Sequence, residues 1–215
     1  MKVLIIILGS GASGKSTLTR QLCGVGGVEY IKTFQCLDQH LGEQRIEKAK
    51  YTLFPNGSAI AGNIKNSSDA IQNMEARAKI INWLLDQKEV QFVITDPVRS
   101  SKKWDVDWIQ SNPREIAAVY VYLDLSLEEN LRRLVQRREA NGKTTLGEKT
   151  YQNMLAFRER AANVWAAAKQ NYKRKPVRFV CLYEHLTPIE CSKQVKAEIA
   201  LMMEEIERTE RLAKS

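Results

Sequence analysis

The sequence has few of the residues that hold metals or disulfides. Only two histidines and four cysteines occur among 215 residues, and the cysteines form no CxxC pair. This scarcity argues against a structural metal site and favours a reduced, cytoplasmic protein. No apolar run is long enough to span a membrane, so no membrane partner is expected. The opening MKVLIIILGS is too short, and too soon followed by glycines, for a signal peptide.

Acidic residues are fewer than basic residues, and the excess of basic residues is unevenly distributed along the chain. The chain has 33 Lys and Arg against 25 Asp and Glu, a net charge of +8. The segment from Arg132 to Arg178, the basic segment below, has 13 basic and 3 acidic residues, a local charge of +10. Such a segment favours phosphate-rich partners. The alternative is that these side chains serve only the nucleotides of a phosphate-handling enzyme.

Buried apolar runs alternate with helical patterns along the chain. Strands are predicted at 2–8, 29–35, 90–96, 116–124 and 177–183, with a hairpin in 51–64 around Pro55–Ser58. Helices are predicted at 15 to about 24, after Ser68, at 126–139 behind a Ser126–Glu129 capping box, at 148 to about 172, and at 188 to about 211. This alternation predicts one α/β domain over 1–215, with a five-stranded parallel sheet flanked by helices.

The most specific motif is LGSGASGKST, which directly follows the first predicted strand. Its GxxxxGK[ST] spacing, between a strand and a helix, is that of a phosphate-binding loop, or P-loop. Glycines let the backbone turn its N–H groups towards a β-phosphate. ATP and Mg²⁺ are the expected ligands, with Lys15 on the β/γ oxygens and Ser16 on the metal. The predicted ATP-binding residues are Gly9, Ser10, Gly11, Ala12, Ser13, Gly14, Lys15, Ser16 and Thr17.

The loop, together with VYVYLDLSLEENLRRLVQRRE, resembles the nucleoside monophosphate kinase group, which includes thymidylate kinases and shikimate-type small-molecule kinases. The second stretch looks like that group's strand and arginine-rich lid helix. The resemblance implies a P-loop kinase with a lid region at about 126–172. Arg133 and Arg137, four residues apart, would share the face that neutralises charge during phosphoryl transfer. The guanine-reading N/T-K-x-D motif of switch GTPases is absent.

A second stretch, VITDPVRSSKKW, resembles in part the Asp-Arg-Tyr motif of thymidylate kinases. Here Pro97 and Val98 separate Asp96 from Arg99, whereas the two residues are adjacent in the family motif. This departure argues against ordinary thymidylate as the substrate. The resemblance implies that Asp96 holds a Mg²⁺-bound water and that Arg99 positions the acceptor.

Other residues bear on the acceptor. A hydroxyl acceptor needs a general base, and Asp38 and Asp69 are the candidates, although Asp69 also fits a helix-terminal acid. Lys102 and Lys103 directly precede Trp104, and Trp108 follows one helical turn later. Bases stack on indole rings and phosphates pair with lysines, so these residues could bind a nucleic-acid strand. The alternative is that Trp108 packs in the core while the lysines face solvent.

These features together resemble the phage DNA kinases that phosphorylate the 5-hydroxymethyl group of hydroxymethyluracil in DNA, a step in thymine hypermodification. The resemblance extends to the YTLFPNGSAIAGNIKNSSDAI insertion before the long helix. It implies an ATP- and Mg²⁺-dependent phosphotransferase acting on DNA, located in the host cytoplasm. The alternatives are a soluble deoxynucleoside monophosphate kinase, whose partner is a free deoxynucleotide, and a non-catalytic ATP-dependent nucleic-acid-binding module.

Overall fold

The computed structural model describes residues 1–24, 35–36, 50–54, 56–61, 70–95, 104–143, 146–172 and 175–213. In these residues seven strands form one sheet in the order β2-β3-β4-β5-β1-β6-β7. The strands are β1 (Lys2–Leu8), β2 (Gln35–Cys36), β3 (Lys50–Leu53), β4 (Ser58–Ala61), β5 (Phe92–Thr95), β6 (Ile116–Asp124) and β7 (Val177–Tyr183). Five of them, β4, β5, β1, β6 and β7, are parallel, which confirms the predicted five-stranded parallel sheet.

The predicted hairpin supplies one of the five parallel strands. β3 and β4 pair antiparallel across Asn56 and Gly57, and β4 then pairs in parallel with β5. β4, rather than the predicted strand at 29–35, is therefore the parallel neighbour of β5. Of that predicted strand only Gln35 is described, in the short edge strand β2, and 29–34 lie outside the described residues.

Helices cover both faces of the sheet. They are α1 (Lys15–Leu22), α2 (Ala70–Asp86), α3 (Trp104–Ser111), α4 (Leu127–Glu139), α5 (Glu148–Asn171) and α6 (Pro188–Leu212). α1 and α6 pack on one face, and α2, α3 and α5 pack on the other. α3 is not among the elements that the sequence predicts. In the described part of the chain, no helix combines the length and apolar character needed to cross a membrane.

β1 is buried on both faces at the centre of the sheet, between β5 and β6. Its side chains alternate between the two core clusters, with Leu4, Ile6 and Leu8 on one face and Val3, Ile5 and Ile7 on the other. This explains why the strand reads as an unbroken apolar run. The carboxyl end of β1, where the glycine-rich loop begins, is consequently held by core packing on both sides.

α4 begins with only half of the predicted capping box. The Ser126 hydroxyl accepts a hydrogen bond from the Glu129 N–H at 3.1 Å, but the Glu129 carboxylate is bound by Arg132 and Arg133. The Ser126 N–H donates instead to Glu184 Oε2 at 2.7 Å. Because Glu184 directly follows β7, the start of α4 is tied to the carboxyl end of the neighbouring strand.

The turn between β3 and β4 gives a test of this sheet arrangement. Gly57 has a φ of +76°, and a Cβ atom there would lie 3.0 Å from Gln91 Cγ and 3.1 Å from the Glu89 carbonyl oxygen. Gly142 has a similar φ of +71° with nothing within 4 Å of a Cβ. We expect Gly57→Ala to lower the free energy of unfolding by about 2–4 kcal/mol, and Gly142→Ala by about 1–2 kcal/mol. Urea denaturation measures both, and equal losses would contradict the close approach of the segment at 89–91, which leads into β5.

Candidate nucleotide-binding site

The predicted P-loop turns tightly between β1 and α1. Gly9 has a φ of +151°, Ala12 of +62° and Gly14 of +98°, all in the left-handed region. A Cβ atom on Gly9 would lie 2.5 Å from Ser13 Oγ and 3.2 Å from Leu123 Cβ, so only glycine fits there. Gly14 precedes α1 without a side-chain cap, which leaves the first N–H groups of the helix without a side-chain acceptor.

The loop residues fit a bound phosphate chain. Ser13 is only 2% exposed, and within the described residues its hydroxyl has no hydrogen-bond partner. Buried donors need acceptors, and phosphate oxygens at a helix N-terminus supply them. Ser16, exposed in the first turn of α1, offers a hydroxyl oxygen of the kind that Mg²⁺ accepts. No group of three or more His, Cys, Asp and Glu side chains in the described ranges is placed to hold a metal by itself.

Lys15 folds back onto its own loop. Its Nζ donates to the carbonyl oxygens of Gly9 at 2.8 Å and Ser10 at 2.7 Å. The ammonium is therefore held at the loop, where the sequence predicts that it meets phosphate oxygens.

α4 brings Arg133 to the loop. One terminal nitrogen of Arg133 lies 3.9 Å from the position that a Cβ atom on Gly14 would occupy. Its Nε donates to Glu129 Oε1 at 2.5 Å, and Arg132 holds the same carboxylate through two bonds of 2.6 Å. These two guanidinium groups lower the pKa of Glu129 to about 2. Arg137, one turn further on, is exposed, and its role stays a prediction.

Asn130 joins α4 to the loop, and no motif marks it in the sequence. It is fully buried, its Oδ1 accepts a hydrogen bond from the Ser10 hydroxyl at 2.5 Å, and its Nδ2 donates to the Gly11 carbonyl oxygen at 2.7 Å. The only signal in the sequence is an asparagine inside a helix, where its intrinsic propensity is poor. The Ser10 hydroxyl is thus engaged with α4, which leaves the backbone of Ser10 for the predicted contact with a phosphate.

Arg77 was likewise not predicted. It reaches from α2 to the carboxyl end of β5, where its Nη1 donates to Thr95 Oγ1 at 3.0 Å. Thr95 is paired with Ile6 of β1 and directly precedes Asp96. A guanidinium group is consequently present at the same edge of the sheet as the loop.

Most of the predicted acceptor residues lie outside the described residues. They are Asp38, Asp69, Asp96, Arg99, Lys102 and Lys103; of Trp104 only the backbone is described, as the first residue of α3. Trp108 is partly buried and packs against the core cluster around α2 and α5. This favours the alternative in which Trp108 is a core residue and not a base-stacking platform.

Several cations of the basic segment are engaged within the protein. Arg178 forms ion pairs with Glu198 and Glu205 of α6. Lys175 donates to the Arg114 carbonyl oxygen at 2.6 Å, and Lys169 lies over the Trp165 ring, 4.7 Å from its centroid. Because Glu198 and Glu205 lie outside the basic segment, they offset part of its +10 charge, whereas Lys175 and Lys169 keep theirs. The exposed cations of the segment include Arg137, Lys143, Lys149 and Arg160.

A parallel sheet whose central strand ends in this loop defines the class of P-loop nucleoside triphosphate enzymes. Residues 4–161 match the family described as AAA domain, and the chain belongs to that family. The predicted α/β P-loop fold is confirmed, and the predicted enzyme class, a P-loop kinase, agrees with it.

Three solved kinases align with most of the chain. A gluconokinase from Sinorhizobium meliloti is 15% identical, with a TM-score of 0.48 and 95% of each chain covered. A shikimate kinase from Aquifex aeolicus is 13% identical, with a TM-score of 0.41 and 92% of this chain and 96% of that one covered. A deoxyadenosine kinase from M. mycoides is 17% identical, with a TM-score of 0.40 and 95% and 99% covered. No curated protein sequence matches the chain. The family assignment rests on the AAA domain match.

The position of Lys15 leads to a binding prediction. Lys15→Ala removes a positive charge held at the loop, and we expect the affinity for MgATP to fall about 10- to 100-fold, the loss typical of a hydrogen bond to a charged group. Titration calorimetry measures the affinity, and circular dichroism checks the fold. Lys193→Ala, an exposed lysine of α6, is the matched control and should bind as the unmodified protein does. Unchanged affinity in folded Lys15→Ala protein would refute the assignment of this loop.

Proposed function

We propose that this protein is a Mg²⁺- and ATP-dependent kinase that transfers the γ-phosphoryl group to a nucleotide acceptor. The observation that carries the proposal is the position of Arg133 beside Gly14. Holding ATP requires only the loop and Lys15. A guanidinium group brought onto the loop from a separate helix adds stabilisation of the charge that develops during transfer. This favours a kinase over a non-catalytic ATP-binding module.

Each residue has a distinct role in this proposal. The backbone N–H groups of the loop and the Ser13 hydroxyl donate to the β-phosphate, and the Lys15 ammonium balances charge on the β/γ oxygens. Ser16 holds Mg²⁺ and Asp96 holds a Mg²⁺-bound water, while Arg133 and Arg137 stabilise the transferred group. Bound MgATP supplies the phosphoryl group and a divalent charge. The protein's own contribution is mainly positioning and electrostatics, as is general for phosphoryl transfer.

For the acceptor we propose the 5-hydroxymethyl group of hydroxymethyluracil in DNA. Asp38 takes the hydroxyl proton as general base, with Asp69 as the alternative. Arg99, Lys102, Lys103 and Trp104 bind the strand. The exposed cations of the basic segment support a polyanionic partner. A cytoplasmic location, in the host for a phage protein, is part of the same proposal.

Two observations favour the second candidate, a soluble deoxynucleoside monophosphate kinase. Trp108 packs on the core, and the cations Lys175 and Arg178 are engaged within the protein. Both reduce the surface that a DNA strand would meet. A phosphate acceptor also needs no general base, so Asp38 would then have no catalytic role.

Labelled ATP separates the candidates. The protein is incubated with γ-labelled ATP and two acceptors, a panel of free deoxynucleoside monophosphates and a duplex containing hydroxymethyluracil. We expect label on the hydroxymethyluracil duplex. No label should appear on a matched thymine duplex, or on either duplex when Lys15→Ala protein is used. Label on free monophosphates alone would establish the second candidate. ATP binding without label on any acceptor would favour the non-catalytic module.

Salt dependence tests the DNA contacts separately. Each phosphate contacted on duplex DNA contributes a slope of about −0.9 to a plot of log affinity against log salt concentration. We expect Lys102→Ala/Lys103→Ala to reduce the magnitude of the slope by about two, because two phosphate contacts are lost. Lys193→Ala/Lys196→Ala, two exposed lysines of α6, is the matched control and should leave the slope unchanged. A slope near zero for the unmodified protein would count against a DNA acceptor.

A further inference from the structure

α4 contacts the P-loop through a single buried side chain. Asn130 is the only residue of α4 that is fully enclosed, and both ends of its amide are bonded to the loop. The amide therefore forms hydrogen bonds with two consecutive loop residues, the Ser10 hydroxyl and the Gly11 carbonyl oxygen. Because one rigid amide accepts in the first bond and donates in the second, the two bonds together restrict both the rotation of α4 and its position along its axis.

We propose that Asn130 is a positioning residue that fixes α4 on the P-loop so that Arg133 stands at the bound phosphates. The inference rests on the proposed function only in that the loop binds a nucleoside triphosphate. Arg133 follows Asn130 by three residues, so the two side chains lie one turn apart on neighbouring parts of the helix surface. Asn130 bonds the loop at Ser10 and Gly11, and Arg133 lies at Gly14 on the other side of the same turn.

The residue type follows from the two bonds. An aspartate would accept from the Ser10 hydroxyl but would offer no donor to the Gly11 carbonyl oxygen, and it would bury a negative charge next to phosphate. An apolar residue would leave the Ser10 hydroxyl and the Gly11 carbonyl without their partners. Asparagine carries its acceptor and its donor on two separate atoms, Oδ1 and Nδ2, so one side chain can make both of these bonds.

Neighbouring contacts support positioning over simple packing. The Ser126 N–H is bonded to Glu184, which anchors the beginning of α4 to the end of β7. Glu129 holds Arg133 by its Nε, which leaves the terminal nitrogen near Gly14 directed to the loop. Asn130 lies between these contacts. Without it α4 keeps its anchor at Ser126, but both of the hydrogen bonds that Asn130 makes to the loop are lost.

The test uses Asn130→Leu, which removes both bonds at similar volume without adding charge. MgATP affinity is measured by calorimetry, and thermal unfolding is followed without nucleotide. We expect affinity to fall about tenfold, similar to the effect of Arg133→Ala, because the same contact to phosphate is lost. In Arg133→Ala protein, Asn130→Leu should change affinity by less than about twofold, since the side chain that it positions is already gone. Gln136→Ala, an exposed amide of the same helix, is the control and should bind normally.

A second pair of variants separates positioning from stability. Ser10→Ala/Asn130→Leu replaces both partners of the buried bond by apolar groups, so the melting temperature should recover towards that of the unmodified protein. If Asn130 positions Arg133, affinity stays about tenfold low in this double variant; if its role is only structural, affinity recovers with stability. Normal affinity in folded Asn130→Leu protein, no loss in Arg133→Ala, or losses that multiply in the combined variant would each overturn the inference. Failure of the unmodified protein to bind MgATP would instead refute the proposed function.

Discussion

The candidate site and the elements around it are organised by the tight turn from β1 into α1. A strand buried on both faces has to become a helix within the span Gly9–Gly14, and it does so through left-handed conformations at Gly9, Ala12 and Gly14. Loops of this kind at a helix N-terminus generally point backbone N–H groups at a bound anion, so the geometry that makes the turn also suits a phosphate. Core packing on both faces of β1 holds this site in place.

The second part of the site is brought by β6 and β7. α4 follows β6 closely, and Glu184 at the end of β7 takes the N–H that the predicted capping box assigns to Glu129. The Glu129 carboxylate is thereby available to Arg132 and Arg133. Its lowered pKa keeps the Glu129 carboxylate ionised above a pH of about 2. The ion pairs of Glu129 therefore stabilise the fold fully above the ordinary pKa of a glutamate, and this stabilisation is lost as the pH falls towards 2. Arg133 is thus oriented by a charge that persists at any working pH.

The other side of the loop is built from different elements. Arg77 comes from α2 and meets Thr95 at the end of β5, on the other side of β1 from α4. The loop therefore lies between one guanidinium group from the β6 side and one from the β5 side. Ligands of open α/β sheets bind beyond the carboxyl ends of the strands, and both groups stand there.

Features that depend on neighbours along the chain could be predicted from the amino-acid sequence. They include the P-loop, whose spacing and strand–helix setting are local, and the strands β6 and β7, which lie within the predicted bounds because their apolar runs are continuous. Three features could not be predicted without the fold: the strand that lies beside β5, the carboxylate that caps α4, and the positions of Asn130 and Arg77 at the candidate site. These depend on contacts between residues distant in sequence, such as Ser10 with Asn130 and Ser126 with Glu184. Local patterns report the conformation that a segment prefers, whereas such contacts exist only after the sheet has placed the segments side by side.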